Sequence, residues 1–448
     1  MIDRGSPNAA ASSGDAAWQQ TDVLVIGGGP AGATVATLLA RRGYHVTVVE
    51  KERHPRFHIG ESLLPANLPL LAELGVAEQV RAIGMQKWGA EFISHWDGRE
   101  QDFRFAEAWD KSMPYSYQVR RSQFDEILLR NAERAGAQVI EHCRVREVEF
   151  PQLRDGGDIG VRIEAQHQDG RSQCWQARYL VDASGRETFL ASRFGAKRRN
   201  PLHNSAAIFG HFSGAQRHED ERAGHISIYW FDHGWMWFIP LHDGATSVGA
   251  VVWPYYLKSR SVPLKEFFLA TIAQCPPLAQ RLAHATLTNE VEATGNYSYR
   301  STRSYGDRYL LLGDAYTFID PVFSAGVMLA MNSAFVGADA VDACLRTPAR
   351  ARAALRRFDR SLRRGAREYS WFIYRVTTPT MRELLLAPRN LLRMKEALMS
   401  VLAGDIFGRT PIWKSVRAFK LTYHVFSLLH PLRSAVAARR RSLNVRPV

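Results

Sequence analysis

Three glycines and one acid near the N-terminus have the types and spacing needed to hold a phosphate-bearing ligand. They lie in DVLVIGGGPAGATVATLLARRGYHVTVVEKE, residues 22–52, where Gly27-x-Gly29-x-x-Gly32 directly follows a β-branched run. Gly27 permits a tight turn, Gly29 lets the backbone approach a pyrophosphate, and Gly32 lets a helix pack closely against the strand. Glu50 ends a second predicted strand, where a carboxylate binds ribose hydroxyls and disfavours a 2′-phosphate. The pattern predicts a dinucleotide site for FAD or NAD.

A second segment, late in the chain, distinguishes between these two cofactors. DRYLLLGDAYTFIDP, residues 307–321, resembles the Gly-Asp segment of FAD-dependent aromatic hydroxylases, where the aspartate binds a ribitol hydroxyl of the flavin. Asp314 takes that role, because a ribitol chain that crosses a protein needs hydrogen-bond partners. VRRSQFDEILLRNAERAGA, residues 119–137, resembles the arginine-led helix of the same superfamily and makes Arg120 or Arg121 a flavin contact. The alternative for that arginine is a surface salt bridge. FAD is the predicted cofactor.

Two tryptophans stand two residues apart in GWMWFIP, residues 234–240. On a β-strand both rings face the same side, and such a pair taken alone indicates core packing. Two other segments give the pair a different context, namely FHIGESLLP at 57–65 and FIDPVFSAG at 318–326.

The three segments together resemble the phenol and pyrrole branch of the flavin-dependent halogenases. The WxWxIP signature of that family is matched by Trp235, Trp237, Ile239 and Pro240. The FxxPxxSxG signature is matched by Phe318, Pro321, Ser324 and Gly326. FHIGESLLP is similar to the family's segment beside the isoalloxazine ring, and the similarity extends from about Thr21 to about Arg433.

The resemblance implies a reaction in two compartments. Reduced FAD and O2 oxidise a halide, chloride or bromide, to hypohalous acid, which then travels to an aromatic substrate. Trp235 and Trp237 separate the flavin from the substrate as a steric barrier with no acid–base role. The halide binds to backbone N–H groups that follow Ser324, at Ala325 and Gly326, where the start of a helix offers free donors.

A single lysine completes the site that the resemblance implies. Lys87, in MQKWGAEF, matches the family's residue that holds the hypohalous acid, by hydrogen bonding or as a haloamine. A lysine suits this role because its ammonium is a compact donor whose pKa falls on burial. The predicted cofactor contacts are Gly27, Gly29, Ala31, Gly32, Glu50, Lys51, Glu61, Ser62, Arg120 and Asp314. The predicted substrate-pocket and tunnel residues are Pro65, Phe92, Ile239, Pro240, Phe318, Pro321 and Phe323.

One position departs from the tryptophan-specific halogenases. Those enzymes carry a glutamate directly before the serine of the halide loop, where this chain has Phe323. An indole needs help with its ring proton, whereas a phenol is already electron-rich. The sequence therefore predicts a phenol-like or pyrrole-like substrate, free or bound to a carrier protein. A separate flavin reductase is also predicted, because the one dinucleotide fingerprint is assigned to FAD. Two alternatives stay open: an aromatic monooxygenase that shares the fold, and a flavoprotein that has kept only a docking function.

Positive charge is concentrated in the C-terminal quarter. Residues 346–448 hold 20 Arg and 3 Lys against 5 acidic residues, a net charge of +18, whereas the whole 448-residue chain carries +14. Such a run is usually a solvated helical face; otherwise it indicates an acidic carrier protein or peripheral contact with an anionic membrane. Nucleic acid is not predicted, because no recognition motif accompanies the charge. No run of 18 apolar residues occurs, so no membrane span is predicted.

Cysteines and histidines give no metal or disulfide pattern. The four cysteines have no CxxC spacing, which fits a reducing cytoplasm, and no zinc site is predicted. Six histidines between residues 203 and 242 lack the spacing of metal ligands. Residues 1–20 have no apolar signal region and are predicted to be a disordered tail.

The predicted strands and helices that carry these residues indicate an α/β fold. We expect a Rossmann-type FAD-binding domain with an inserted antiparallel-sheet substrate domain and a C-terminal helical region. The predicted FAD-binding parts are 21–84, 118–200 and 293–345, the substrate-domain parts are 85–117 and 201–292, and the basic helical region is 346–448. Aromatic alternation over 203–253 predicts a half-buried sheet, and residues 138–183 are predicted to be strands with a loop at 154–158. Helix breaks are predicted at Pro348, Pro379, Pro388, Pro411 and Pro431.

Overall fold

The computed structural model describes residues 18–151, 160–200, 203–295, 298–408, 410–429 and 439. Its strands are β1 (Gln19–Ile26), β2 (Val46–Val49), β3 (Met85–Lys87), β4 (Gly89–Ser94), β5 (Glu100–Arg104), β6 (Ser116–Gln118), β7 (Gln138–Ile140), β8 (Cys143–Glu149), β9 (Val161–His167), β10 (Ser172–Asp182), β11 (Lys197–Arg199), β12 (Ala206–Ser213), β13 (Ile226–Phe231), β14 (Gly234–Pro240), β15 (Thr246–Val252), β16 (Thr286–Leu287), β17 (Glu292–Thr294), β18 (Tyr299–Ser301), β19 (Tyr305–Gly306), β20 (Tyr309–Leu311) and β21 (Thr317–Phe318). Its helices are α1 (Pro30–Arg41), α2 (Asn67–Leu74), α3 (Ala77–Ile83), α4 (Arg121–Arg134), α5 (Phe189–Arg193), α6 (Pro254–Lys258), α7 (Leu264–Ala273), α8 (Pro276–Arg281), α9 (Gly326–Arg346), α10 (Pro348–Ile373), α11 (Pro379–Leu386), α12 (Met394–Ala403) and α13 (Trp413–Leu429).

Parallel strands form the centre of the first sheet, in the order β20-β10-β1-β2-β7. β19 continues the sheet antiparallel beyond β20, and β9 pairs antiparallel with β10. Residues 23–26 of β1 and all of β2 are buried because helices cover the sheet: α1 contacts both strands, α1 packs against both α4 and α9, and α9 contacts β10. The predicted Rossmann-type architecture is confirmed.

The second sheet has the order β16-β12-β15-β14-β13-β4-β5 and is antiparallel except where β13 pairs parallel with β4. Trp235, Trp237 and Ile239 of β14 share one apolar cluster with the C-terminal helices, so both tryptophans face the same side as expected. Met236 and Phe238 face the opposite side, in a cluster with residues of α7 and α8. The prediction of a half-buried sheet is wrong, because both faces are covered and every residue of β14 is buried.

The C-terminal helices begin and end where prolines require it. Pro348 and Pro379 are the first residues of α10 and α11, a position at which the missing N–H costs nothing. Pro388 and Pro411 lie between helices, as predicted. Pro431, the loop at 154–158 and residues 1–17 of the predicted tail lie outside the described residues. The tail is predicted too long, because residues 19 and 20 already pair with β10.

One helix in the described part of the chain, α9, is long and apolar enough to cross a membrane by length and composition alone. α9 packs against α1 and α10, and residues such as Met331, Ala334 and Ala338 are buried in the core of the first sheet. Its apolar character therefore has a structural explanation inside the fold.

Candidate active site

A cavity of about 450 Å³ opens at the carboxyl ends of the parallel strands. Residues that end β1, β2 and β10 or follow them line one side, and the start of α9 lines another. β14 of the second sheet closes the cavity with Trp235, Trp237 and Ile239. The carboxyl edge of an open parallel sheet is where such folds bind ligands.

The glycine loop between β1 and α1 lies against this cavity. Gly27 has a φ of +97°, and a Cβ there would lie 2.6 Å from the carbonyl oxygen of Ala183. A Cβ at Gly32 would lie 1.9 Å from the carbonyl oxygen of Gly27, so the helix packs as closely as the sequence predicted. A Cβ at Gly29 would meet only Nη2 of Arg56, at 3.5 Å, because Gly29 borders the open cavity. The space above Gly29 fits a pyrophosphate.

Glu50 lies at the cavity wall after β2, and its carboxylate accepts two backbone hydrogen bonds. Gly28 N donates to Oε2 at 2.6 Å, and Glu52 N donates to Oε1 at 3.0 Å. Glu50 therefore fixes the glycine loop as well as bordering the cavity. Lys51, also at the wall, forms an ion pair with Glu187.

Two arginines that line the cavity pair with the same buried acid, Asp125. Arg121 pairs with Asp125 through Nε at 2.8 Å, and Arg56 pairs with the same carboxylate at 3.1 Å. These cations hold the pKa of Asp125 below its usual value although burial alone would raise it. The choice of Arg120 is corrected, because its Nε bonds Asp243 at 2.6 Å while Arg121 lines the cavity.

Asp314 lies in the 3₁₀ turn that follows β20 and lines the cavity. Burial raises its pKa to about 6, with nearby Arg186 and Arg121 acting in the opposite direction. Its carboxylate is therefore positioned to accept hydrogen bonds from hydroxyl groups in the cavity. The hydroxyl of Tyr299 holds the turn by donating to the backbone oxygen of Asp314 at 2.9 Å.

The two tryptophans of β14 form a rigid part of the cavity wall. Their ring centroids are 6.0 Å apart at an angle of 49°, and both side chains are nearly fully buried. Nε1 of Trp237 donates to Oγ of Ser247 at 3.1 Å, which fixes the ring and satisfies its polar atom. Phe209 packs beside Trp237 at 6.1 Å.

The loop before α9 turns sharply into the helix. Ser324 has a φ of +55° and, like Gly326, lines the cavity, whereas Ala325 is buried behind them. A Cβ at Gly326 would meet nothing within 4 Å, so the first turn of α9 opens onto free space. The unpaired N–H groups of a helix start make such a position suitable for an anion. Phe323 instead packs edge-on against Phe372, at 6.4 Å.

Lys87 lies one side chain away from the cavity. It is 1% exposed, and its Nζ donates to Oγ of Ser62 at 2.8 Å and to the backbone oxygen of Leu63 at 3.0 Å. Its Nζ also lies 5.2 Å from the ring centre of Phe105. Burial without a carboxylate lowers the pKa of Lys87 to about 7. Ser62 itself lines the cavity and stands between the amine and that space.

One hydrogen-bonded pair in the site joins a predicted residue, Glu61, to His211, which carries no sequence signal. Nε2 of His211 lies 2.9 Å from Oε1 of Glu61, and both side chains are buried. Oε2 of Glu61, which borders the cavity, has no hydrogen-bond partner among the described residues. The pair is 150 positions apart in the chain, so spacing could not have revealed it. Arg56 was missed for the same reason, whereas Asp125, four residues after Arg121, matches an ordinary helical ion-pair spacing.

Most of the predicted residues line the cavity, and several stand behind it. Phe92 packs against Phe103 and Trp230 inside the sheet. The predicted residues that do not line the cavity are Gly32, Pro65, Lys87, Phe92, Arg120, Pro240, Phe323 and Ala325. The predicted residues that do line it are Gly27, Gly29, Ala31, Glu50, Lys51, Glu61, Ser62, Trp235, Trp237, Ile239, Asp314, Phe318, Pro321, Ser324 and Gly326.

Four of the six histidines between residues 203 and 242 lie beside an acid. His203 lies 3.0 Å from Asp320, and His225 lies 3.1 Å from Asp102. Within the described residues no group of three or more His, Cys, Asp or Glu side chains is arranged to hold a metal. All four cysteines are free thiols.

Comparison with known proteins first defines the class. Residues 20–360 match the model of the FAD binding domain family, so the chain is an FAD-binding flavoprotein and the predicted cofactor is confirmed. The chain is 38% identical over 326 residues to a tryptophan 2-halogenase of Chondromyces crocatus, a match covering 72% of this chain and 61% of that protein. It is 30% identical over 410 residues to a 1H-pyrrole-2-carbonyl-(peptidyl-carrier protein) chlorinase of Pseudomonas fluorescens, covering 86% and 90%.

A solved structure supports the same assignment. The myxobacterial chondrochloren halogenase superposes with a TM-score of 0.75 at 34% identity, over 86% of this chain and 90% of that one. The chain therefore belongs to the flavin-dependent halogenases, a family of oxidoreductases, as the sequence predicted.

Proposed function

We propose that the protein uses FADH2 and O2 to halogenate an electron-rich aromatic substrate, phenol-like or pyrrole-like, with chloride or bromide. The observation that carries this proposal is a buried lysine amine beside a cavity whose wall is two fixed tryptophans. A hydroxylase has no need of such an amine, since its substrate must reach the flavin itself.

The residues of the cavity fit FAD. The open space at Gly29, with Arg56 beside it, suits the pyrophosphate, and Asp314 suits a ribitol hydroxyl. Asp125 orients Arg56 and Arg121 towards the cavity. When bound and reduced, FAD supplies the oxidising chemistry with O2.

The wall and the helix start control access to that chemistry. The start of α9, at Ala325 and Gly326, offers N–H groups to a halide beside the flavin site. Trp235 and Trp237 exclude an aromatic substrate from the flavin and leave only small species able to pass. Their exclusion of substrate favours halide oxidation over hydroxylation.

Lys87 receives the hypohalous acid at its amine. Its pKa of about 7 leaves a substantial neutral fraction near neutral pH. The neutral amine either hydrogen-bonds the hypohalous acid or forms an N–halogen bond while the halogen–oxygen bond breaks and water leaves. Ser62 and the backbone of Leu63 fix Nζ by hydrogen bonds, which reduces the number of positions that the amine can adopt.

The substrate proposal depends on Phe323. An apolar phenylalanine stands where tryptophan-specific relatives place an acid, and it packs against Phe372. This supports an activated ring such as a phenol or pyrrole, either free or on a carrier protein, as the named pyrrole chlorinase uses. The 38% identity to a tryptophan 2-halogenase makes an indole the substrate that the same assay must test.

Two further points belong to the same proposal. A separate flavin reductase supplies FADH2, since only one dinucleotide fingerprint is present in the chain. The protein acts in a reducing cytoplasm, which fits its four free thiols.

The test supplies the purified protein with FADH2, O2 and halide, and offers a panel of phenols, pyrroles and indoles, free and carrier-bound. We expect a mass increase of one halogen on a phenol or pyrrole, lost in Lys87→Ala and kept in the matched control Lys265→Ala, whose lysine is exposed. FAD binding should be equal in all three proteins. Hydroxylated product would instead support the monooxygenase, and halogenated indole alone would overturn the substrate proposal.

A further inference from the structure

Helix α13 has two apolar faces, and only one of them is buried. Val416, Phe419 and Tyr423 pack into the core of the C-terminal helices. The opposite face carries four aliphatic residues spaced i, i+4, i+7 and i+8, which places them on one side of the helix. This exposed set, the apolar stripe, consists of Leu421, Val425, Leu428 and Leu429, with exposed fractions of 66%, 45%, 79% and 67%.

The stripe is part of a larger apolar patch. Leu391 and Leu392 lie in a 3₁₀ turn that contacts α13, and they are 69% and 66% exposed. Of fourteen large hydrophobic residues exposed in the described part of the chain, seven lie between residues 391 and 429. Such concentration marks an interaction surface, whereas isolated exposed hydrophobic residues do not.

Positive charge on α13 itself adjoins this patch. The helix carries three Lys or Arg residues and no Asp or Glu. Arg417 is exposed one turn before Leu421, on the same side of α13. The nearby Glu368 and Glu396 are already paired, with Lys420 at 2.8 Å and with Arg393 at 2.9 Å. The partner of this surface should therefore have an apolar interior that accepts the leucines and a negatively charged surface that faces the basic residues.

We propose that the apolar stripe of α13, with Leu391 and Leu392, docks the protein onto an anionic lipid bilayer. Aliphatic side chains on a helix surface flanked by cations are the composition of interfacial helices. Protein interfaces centre instead on Tyr, Trp and Arg anchors, which the stripe lacks. A second copy docked through the same face would bring two copies of α13 together, each with three basic residues and no acidic residue. The inference is independent of the halogenation proposal, because it concerns a surface with no residue in the cavity.

The test measures co-sedimentation of the full chain with phosphatidylcholine vesicles, with and without phosphatidylglycerol. We expect binding to the anionic vesicles only, weakening as salt rises because the electrostatic contribution is screened. The triple variant Leu421→Ser, Val425→Ser and Leu428→Ser should reduce binding at least about tenfold, since affinity follows the apolar area inserted. The matched control Val262→Ser with Leu269→Ser alters side chains that are 42% and 41% exposed outside the patch and should leave binding unchanged.

Thermal unfolding of both variants should match the parent chain, because the substituted side chains are exposed. Three results would overturn the proposal. The first is absence of binding to anionic vesicles by the folded parent. The second is vesicle binding that the triple variant retains. The third is a dimer in light scattering, or capture of an acidic carrier protein without vesicle binding, that the triple variant abolishes.

Discussion

The amine of Lys87 is buried among neutral partners only. Its contacts are Ser62, the backbone of Leu63 and the ring of Phe105, and burial is the cause of its lowered pKa. A buried ammonium without a carboxylate partner lowers the free energy of unfolding. A group kept at such a cost, with a strongly shifted pKa, is typical of a catalytic site.

Lys87→Met should therefore stabilise the protein at low pH. The pKa of Lys87 falls from 10.5 in the unfolded chain to about 7 in the folded protein, so between these values the unfolded chain binds more protons. The stability of the parent thus rises with pH across that window, and the penalty, on the order of a few kcal/mol, is complete below pH 7. Urea unfolding should show the variant more stable at pH 6, with the difference shrinking towards pH 10. A pH-independent difference would contradict a depressed pKa.

Asp314 should make FAD binding depend on pH. Its pKa of about 6 belongs to the protein without flavin, and hydroxyl donors from a ribitol chain favour the carboxylate. FAD affinity should therefore fall as the pH drops from 7 to 5, when the carboxylate becomes protonated. Asp314→Asn should bind FAD more weakly at pH 7 and lose this pH dependence, as measured by fluorescence titration. The same slope in both proteins would remove Asp314 from flavin binding.

At the scale of elements, two glycines of the loop and helix α1 should respond differently to the same substitution by valine. Gly29→Val should give a folded protein that binds no FAD, because the new side chain enters the cavity and meets only Arg56. Gly32→Val should lose stability instead, because its Cβ would overlap the carbonyl oxygen of Gly27. Flavin absorbance per protein and the melting temperature separate the two effects. A Gly29→Val protein with a full complement of FAD would contradict the location of the pyrophosphate site.

The sequence predicted the features that depend on residues close together in the chain, and missed those that depend on residues brought together by the fold. The turn at Gly27 and the arginine-led helix within residues 119–137 depend on neighbours in the chain, and both were predicted correctly. The choice between Arg120 and Arg121 depends on which side of the helix start faces the cavity, which only the packed fold decides. Likewise, the covering of both faces of β14 requires knowledge of distant helices, so alternation alone gave half-burial. The Glu61–His211 pair lies beyond any local pattern.

At the scale of the whole molecule, most of the positive charge belongs to the C-terminal quarter of the chain, whereas most of the residues that line the cavity come from the rest of the chain. Residues 346–448 carry a net charge of +18, while the rest of the chain is slightly acidic. The described helices of this region, α10 to α13, pack against the tryptophan-bearing face of the second sheet. On α10, Arg356, Arg357 and Arg363 are exposed, whereas Arg364 lies over the ring of Trp413 at 4.4 Å. The first three have exposed side chains, although changing Arg363 also removes its ion pair with Asp359 at 2.6 Å, a surface pair worth less than about 1 kcal/mol.

If α10 recruits an acidic carrier protein, reversing these charges should affect tethered substrates alone. Changing Arg356, Arg357 and Arg363 to Glu should lower kcat/KM for a carrier-bound substrate mainly through the association rate, and leave a free phenol unaffected. The parent's turnover of the tethered substrate should fall steeply as salt rises to 0.1 M, where exposed charges are screened within about 10 Å. A matched control is available in three exposed lysines changed to Glu: Lys111, Lys258 and Lys265. Equal losses in both variants would show only a general charge effect, and indifference of both substrates to salt and to the reversal would leave a free small molecule as the substrate.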